Sequence, residues 1–182
     1  MDRIAEFVRN SLATLMGKAP AGSATGSPPA APAWGAEPRP TPASLCAAIT
    51  VADFRAVGLQ PDLDAPVVNP ADDGDGGAGA YCSYTRASVA AGGIEFDVFY
   101  DDDPLAVQRT ILGEGGGAVT PASLEGADEC LLGRSTMPGE AAHASIVVRR
   151  ANCVFTIAIP DGPDAAEQLR ALARLALQRL PA

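Results

Sequence analysis

Basic residues are scarce in this sequence, and aromatic ones scarcer. From residue 44 to the end, nine Arg face nineteen Asp and Glu, a net charge of −10. Such a field repels phosphate backbones and anionic headgroups, so nucleic-acid binding is excluded as an expectation and lipid-surface binding is disfavoured. Aromatics make up 5% of the chain. The core must therefore come from Ile, Val, Leu and a few Phe and Tyr, concentrated after residue 44. A run of about 18 apolar residues, the least that spans a bilayer as a helix, is absent. Residues 1–17 also lack the uninterrupted apolar stretch of a secretory signal, because Asp2, Arg3, Glu6, Arg9 and Asn10 break it up. An exported form would need a signal missing from this sequence, a different start, or another route.

Histidine is nearly absent as well: His143 is the single imidazole. Any Ser–His or Cys–His pair must use it, and neither a G-x-S-x-G elbow nor a reactive-thiol motif accompanies it. A hydrolase centred on His143 is accordingly the third-ranked reading, and a strand-end histidine the default. None of the four cysteines forms a C-x-x-C pair, so a zinc site would need all four sulfurs from scattered positions. No metal or cofactor is expected.

What the chain has in quantity is proline and glycine, 16 and 19 residues. They punctuate it into three parts. Residues 1–17 carry Ile4, Phe7, Val8, Leu12, Leu15 and Met16 at helical spacing, predicting an amphipathic helix with Gly17 as C-cap. Nothing adjacent in sequence can bury that stripe, and its polar face lacks the Lys/Arg richness of a membrane-lying helix. A protein partner, or the chain's own assembly, is the expected destination of Ile4, Phe7, Val8, Leu12 and Leu15. Residues 18–43 are a Pro/Ala/Gly/Ser run that cannot offset its ordering entropy, and read as a disordered spacer carrying Trp34. Residues 44–182 read as the folded domain.

Within that domain the organising stretch is 144–159, ASIVVRRANCVFTIAI, a predicted hairpin at the centre of an antiparallel sheet. Thr50 is a predicted N-cap for a helix over 51–57, with Asp53 in its first turn and Gly58 ending it. Residues 60–79 read as a long polar loop, 80–86 as a strand, and 92–100 as a strand with Ile94, Phe96, Val98 and Tyr100 on one face. A helix is expected over 105–112 behind the Asp101–Asp103 cap, short strands near 118–119 and 129–134, and a last helix from Pro163 to about Leu180. The fold class expected is α+β: an antiparallel sheet of about four to six strands packed against a short N-terminal and a long C-terminal helix.

Other candidate chemistry is weak. Asp72, Asp73 and Asp75 suggest a calcium loop, but an EF-hand begun at Asp73 puts Gly77 at its fifth position and Tyr84 at its twelfth. Asp101–Asp103 are accounted for by helix capping. Gly113–Gly117 lack the Lys-Ser/Thr of a phosphate loop. Arg149 and Arg150 are expected to pair internally with carboxylates. Cys46, Cys82, Cys130 and Cys153 read as two disulfides in an oxidising compartment, with Cys46–Cys82 and Cys130–Cys153 closing the shortest loops. Four buried free thiols in a reducing compartment are the competing arrangement.

Several short motifs together resemble a family of small exported actinobacterial lipoproteins of unknown function. They are the Pro/Ala-rich tether, Cys46 just before Thr50-Val51-Ala52-Asp53, the Cys82-Ser83-Tyr84 strand and the alternating strand to Tyr100. The Gly126-Ala127-Asp128-Glu129 turn, Val147-Val148-Arg149 and the terminal amphipathic helix complete the set. The resemblance covers about residues 44–180. It implies a Cys46–Cys82 disulfide, a cell-envelope location and no catalytic residues. The chain departs from it in lacking a lipidation signal before Cys46 and in the extra pair Cys130 and Cys153. The expected function is a non-enzymatic binding or interaction module, extracytoplasmic and tethered, with an unidentified small ligand as one kind of partner. The rival is an accessory subunit docked through residues 1–17.

Overall fold

The computed structural model describes residues 40–71, 79–100, 118–136 and 138–181. The predicted helix over 1–17 with Ile4, Phe7, Val8, Leu12 and Leu15, most of the spacer, the acidic Asp72–Asp75 and Asp101–Asp103, and the predicted helix over 105–112 lie outside these residues.

The described residues form one seven-stranded antiparallel sheet with helices. In chain order the elements are α1 (Pro42–Cys46), α2 (Val51–Ala56), β1 (Val67–Pro70), β2 (Gly79–Ser83), β3 (Glu95–Tyr100), β4 (Ala118–Pro121), β5 (Glu129–Ser135), β6 (His143–Arg150), β7 (Cys153–Pro160) and α3 (Ala165–Arg179). The strand order is β1-β2-β3-β7-β6-β5-β4. β7 therefore stands fourth of seven, and the β6–β7 hairpin occupies the centre, as its unbroken Val, Ile and Phe content predicts.

Strand alternation decides the two faces. Phe96, Val98 and Tyr100 of β3 pair in register with Ile157, Phe155 and Cys153 of β7, which in turn face Ile146, Val148 and Arg150 of β6. This face is the main core: Phe96, Phe155, Ile146, Ile157 and Ile159 have no exposure. α3 covers it over β6 and β7 with Leu169, Leu172, Ala173 and Ala176, while α1 packs over β1, β2 and β3. On the opposite face Val147 and Val154 are buried with Phe99 and Leu131 packed against them.

The caps follow the sequence. Thr50 and Asp53 form a reciprocal capping box on α2, and Gly58 takes the left-handed conformation (φ +88°) that lets the chain leave the helix. α3 ends at Arg179, and Arg150 reaches from β6 to the carbonyls of Leu177 and Leu180, satisfying acceptors that the helix end leaves open. Arg150 was expected to find a carboxylate and finds a helix terminus instead. Arg149 does pair with one, Glu129 at 3.4 Å.

Three features depart from expectation. The sheet has seven strands, one beyond the expected range, because β1 lies inside the stretch read as loop. Its four residues, Val-Val-Asn-Pro, show no burial alternation, and it is a strand through its pairing with β2. α1 begins at Pro42, inside the stretch read as spacer up to Ala43, with Thr41 as its N-cap. The third departure is chemical. Cys46 and Cys82 form a disulfide, with Cα atoms 5.7 Å apart, but Cys130 and Cys153 are buried free thiols. Cys130 sits on β5 opposite Val148, and Cys153 sits on β7 opposite Arg150. β6 runs between them, so their lateral separation alone is roughly 9.5 Å, beyond the roughly 7 Å that a disulfide spans.

Candidate functional site

The Cys46–Cys82 bridge fixes the end of α1 to β2, an inner strand. Tyr84, two residues on and facing the same way, completes the anchor. Its hydroxyl donates to the carbonyls of Cys46 (3.1 Å) and Ile49 (2.7 Å), and its ring lies 4.4 Å from that of Phe54 on α2. Burial pushes the Tyr84 phenol far above its ordinary range, so it stays a donor. A further clamp comes from α3. Arg179 donates to Asp53 at 2.6 and 3.1 Å and to the Ala48 carbonyl at 3.0 Å.

The Arg179 guanidinium, helped by the Thr50 backbone and hydroxyl, holds the Asp53 carboxyl down to about 2 against burial. A carboxyl depressed on folding stabilises the fold above its unfolded value and loses that contribution as pH falls toward the folded one. The expected window is therefore about pH 4 to 2, and the contribution about 1 kcal/mol, since Arg179 is more than a third exposed and screened. Acid titration of unfolding should show this loss in the native chain and a smaller one in Arg179→Gln, where only Thr50 still lowers the Asp53 carboxyl. Equal acid sensitivity in both would remove Asp53 from the account.

Held in this way, α1, α2 and the approach to β1 enclose a groove of about 600 Å³. Ala47, Ile49, Val51, Ala52, Pro66 and Val68 line it, and Arg55 and Asp64 stand at its rim 3.9 Å apart. The lining is mostly small and aliphatic, with Thr50, Arg55 and Asp64 supplying polar groups. Val68 in this lining is 37% exposed, while its neighbour Val67, 52% exposed, points to the other face of β1. Such a surface can exclude water against complementary apolar groups, with the Arg55–Asp64 pair able to orient a polar neighbour.

The other end of the sheet holds His143, placed at the start of β6 opposite Ser135 of β5 and Pro160 of β7. Its Nδ1 is buried without a hydrogen-bond partner, and no hydrogen bond joins it to Ser135 or Ser145. Asp161 Oδ1 approaches Arg134 Nε at 3.3 Å without hydrogen-bond alignment. A cavity of about 210 Å³ lies nearby, under Thr120, Leu132, Arg134 and the first turn of α3. Arg134 faces this cavity while His143, one register position from Ala144, faces the other side of the sheet. The structure thus separates the imidazole from this cavity.

The two free thiols are poor nucleophiles. Burial pushes Cys153 up to about 11, against the lowering effect of a Tyr100 hydrogen bond, and pushes Cys130 up as well. Among the described residues no three of His, Cys, Asp and Glu come together as a metal cage, and no helix is long and apolar enough to cross a membrane.

The sequence pointed to Cys46, Cys82, Thr50 and Asp53, and the structure gathers them at the groove corner. It missed Tyr84 and Arg179 as anchors. For Tyr84 the signal was strand parity, which puts it on the face of Cys82. For Arg179 there was only a basic residue in a last helical turn. No protein-family model matches the chain, and neither a curated protein nor a solved structure matches it significantly.

Proposed function

We propose that the chain is a non-enzymatic binding module of the cell envelope or extracellular space, presented on a flexible tether and engaging a partner through the groove between α1, α2 and β1. The observation that carries this reading is the groove itself: a solvent-open, mostly aliphatic surface with exposed Val68, on a corner braced by a disulfide, a buried tyrosine and an arginine clamp. The bracing holds the lining residues in fixed relation, which lowers the ordering cost of binding. The Cys46–Cys82 bridge is compatible with an oxidising compartment. The resemblance to small exported lipoproteins agrees with that location.

The test uses the full chain in the cells that make it, with a photo-crosslinking side chain at Ala52 or Val68, both in the groove, or at exposed Arg174 on α3 as control. A discrete adduct from positions 52 and 68, in material outside the cytoplasm and absent from position 174, is the expected result. No adduct from either groove position would overturn the reading. With the same side chain placed at Phe7 or Leu12, adducts from these positions instead would favour the accessory-subunit reading, in which deleting residues 1–17 abolishes incorporation while the domain still folds.

A further inference from the structure

We infer that prolines in outward-facing positions close both edges of the sheet to strand addition, so that neither a second copy nor a partner extends it. The inference does not depend on the function proposed above. In an antiparallel pair the hydrogen-bonded and non-hydrogen-bonded positions alternate, and residues of the second kind turn their N–H and C=O away from the neighbour. At one edge the Ala71 amide donates to the Gly79 carbonyl at 3.3 Å, one step beyond the Pro70–Ala80 pair. Residues 67, 69 and 71 therefore bond inward to β2, while 66, 68 and 70 face out. Two of these three are Pro66 and Pro70. At the other edge the Ala122 amide donates to the Cys130 carbonyl at 2.9 Å, one step beyond Pro121–Leu131. By the same alternation Thr120 bonds inward, and Val119 and Pro121 face out.

An incoming strand would find one donor along β1, the Val68 amide, and one along β4, the Val119 amide. Proline has no amide hydrogen and its ring projects toward the approaching chain, so the positions of Pro66 and Pro70 on either side of Val68, and of Pro121 beside Val119, are lost. The exposed apolar side chains make this placement consequential. Val67, Val68 and Val119, the exposed large hydrophobic residues among those described, all lie on the two edge strands. Short aliphatic edges with free donors are templates for self-association, and edge proline is one way of blunting them.

Residue-resolved amide exchange on the full chain tests this, comparing wild type with Pro66→Thr/Pro70→Thr/Pro121→Thr, and with Pro163→Thr as an exposed-loop control. In dilute wild type the Val68 and Val119 amides are expected to exchange as unprotected amides, while those of Asn69 and Thr120 are slowed. Raising the protein concentration should leave Val68 and Val119 unchanged in wild type and in the control, but slow them by about tenfold or more in the triple variant as its edges pair. Association through any other surface would not protect these two amides selectively. Protected Val68 or Val119 amides in dilute wild type would overturn the inference whether or not the triple variant folds. So would a folded triple variant with no concentration-dependent protection at either position.

Discussion

Replacing both bridged cysteines, in the variant Cys46→Ala/Cys82→Ala, is expected to destabilise the domain by about 4 kcal/mol. The bridge closes a loop of sequence separation 36, and the chain-entropy estimate for such a loop at room temperature is about 4 kcal/mol. Both residues are 1% exposed or less, so removal of the sulfurs leaves additional voids that the corner cannot collapse around easily. Much of the loss should be local at first. Tyr84 still holds the carbonyls of Cys46 and Ile49, yet α1 loses its only covalent tie to the sheet, and the groove lining would become mobile before the core opens. Urea unfolding gives the global figure, which corresponds to a fall in Tm of about 10 °C for a chain of this size. Amide exchange over residues 42–57 gives the local one. A change under about 1 kcal/mol would mean that the bridge does not brace the groove.

Phe155→Ala is expected to cost a comparable amount, about 4 kcal/mol. Phe155 lies on the middle strand with no exposure, between Val98 and Val148 in register, and its ring meets Phe96 edge-on at 6.0 Å. With so few aromatics in the chain, this pair supplies core volume that no neighbouring side chain can replace. The contrast is Val67→Ala on edge strand β1, which should change stability by less than about 0.5 kcal/mol because the side chain is half exposed. Urea unfolding of the two variants side by side measures both. Similar losses at the two positions would contradict the placement of the core on the α3 face of β7.

These expectations separate what was legible in the sequence from what was not. β3 was legible because Ile94, Phe96, Val98 and Tyr100 recur at every second position, with Glu95 and Asp97 between the first three, and a half-buried strand imposes that period. The capping box of α2 was legible because Thr50 and Asp53 act within one turn. The β6–β7 hairpin was legible from its apolar runs. β1 was not, since an edge strand flanked by prolines owes its structure to pairing with β2 rather than to any pattern of its own. The Cys130–Cys153 expectation failed for a related reason. Short sequence spacing favours a bridge only when the two strands are neighbours, and the insertion of β6 between β5 and β7 is a property of sheet order. Arg150 illustrates the same limit, as its partners are helix carbonyls 27 and 30 residues away. The groove was least legible of all. It is made by three elements brought together through Cys46–Cys82, Tyr84 and Arg179, contacts that span 35 to 131 residues of sequence.

The pairing of an oxidised Cys46–Cys82 brace with two buried free thiols elsewhere in the sheet is tested by counting thiols in protein isolated from its native cells without reductant. The account predicts no reactive thiol in the folded chain, two after unfolding, and four after unfolding with reduction, the last step adding two hydrogens to the intact mass. Four reactive thiols on unfolding without reductant would contradict it by placing the chain in a reducing compartment. None would contradict it by requiring Cys130 and Cys153 to be joined across β6.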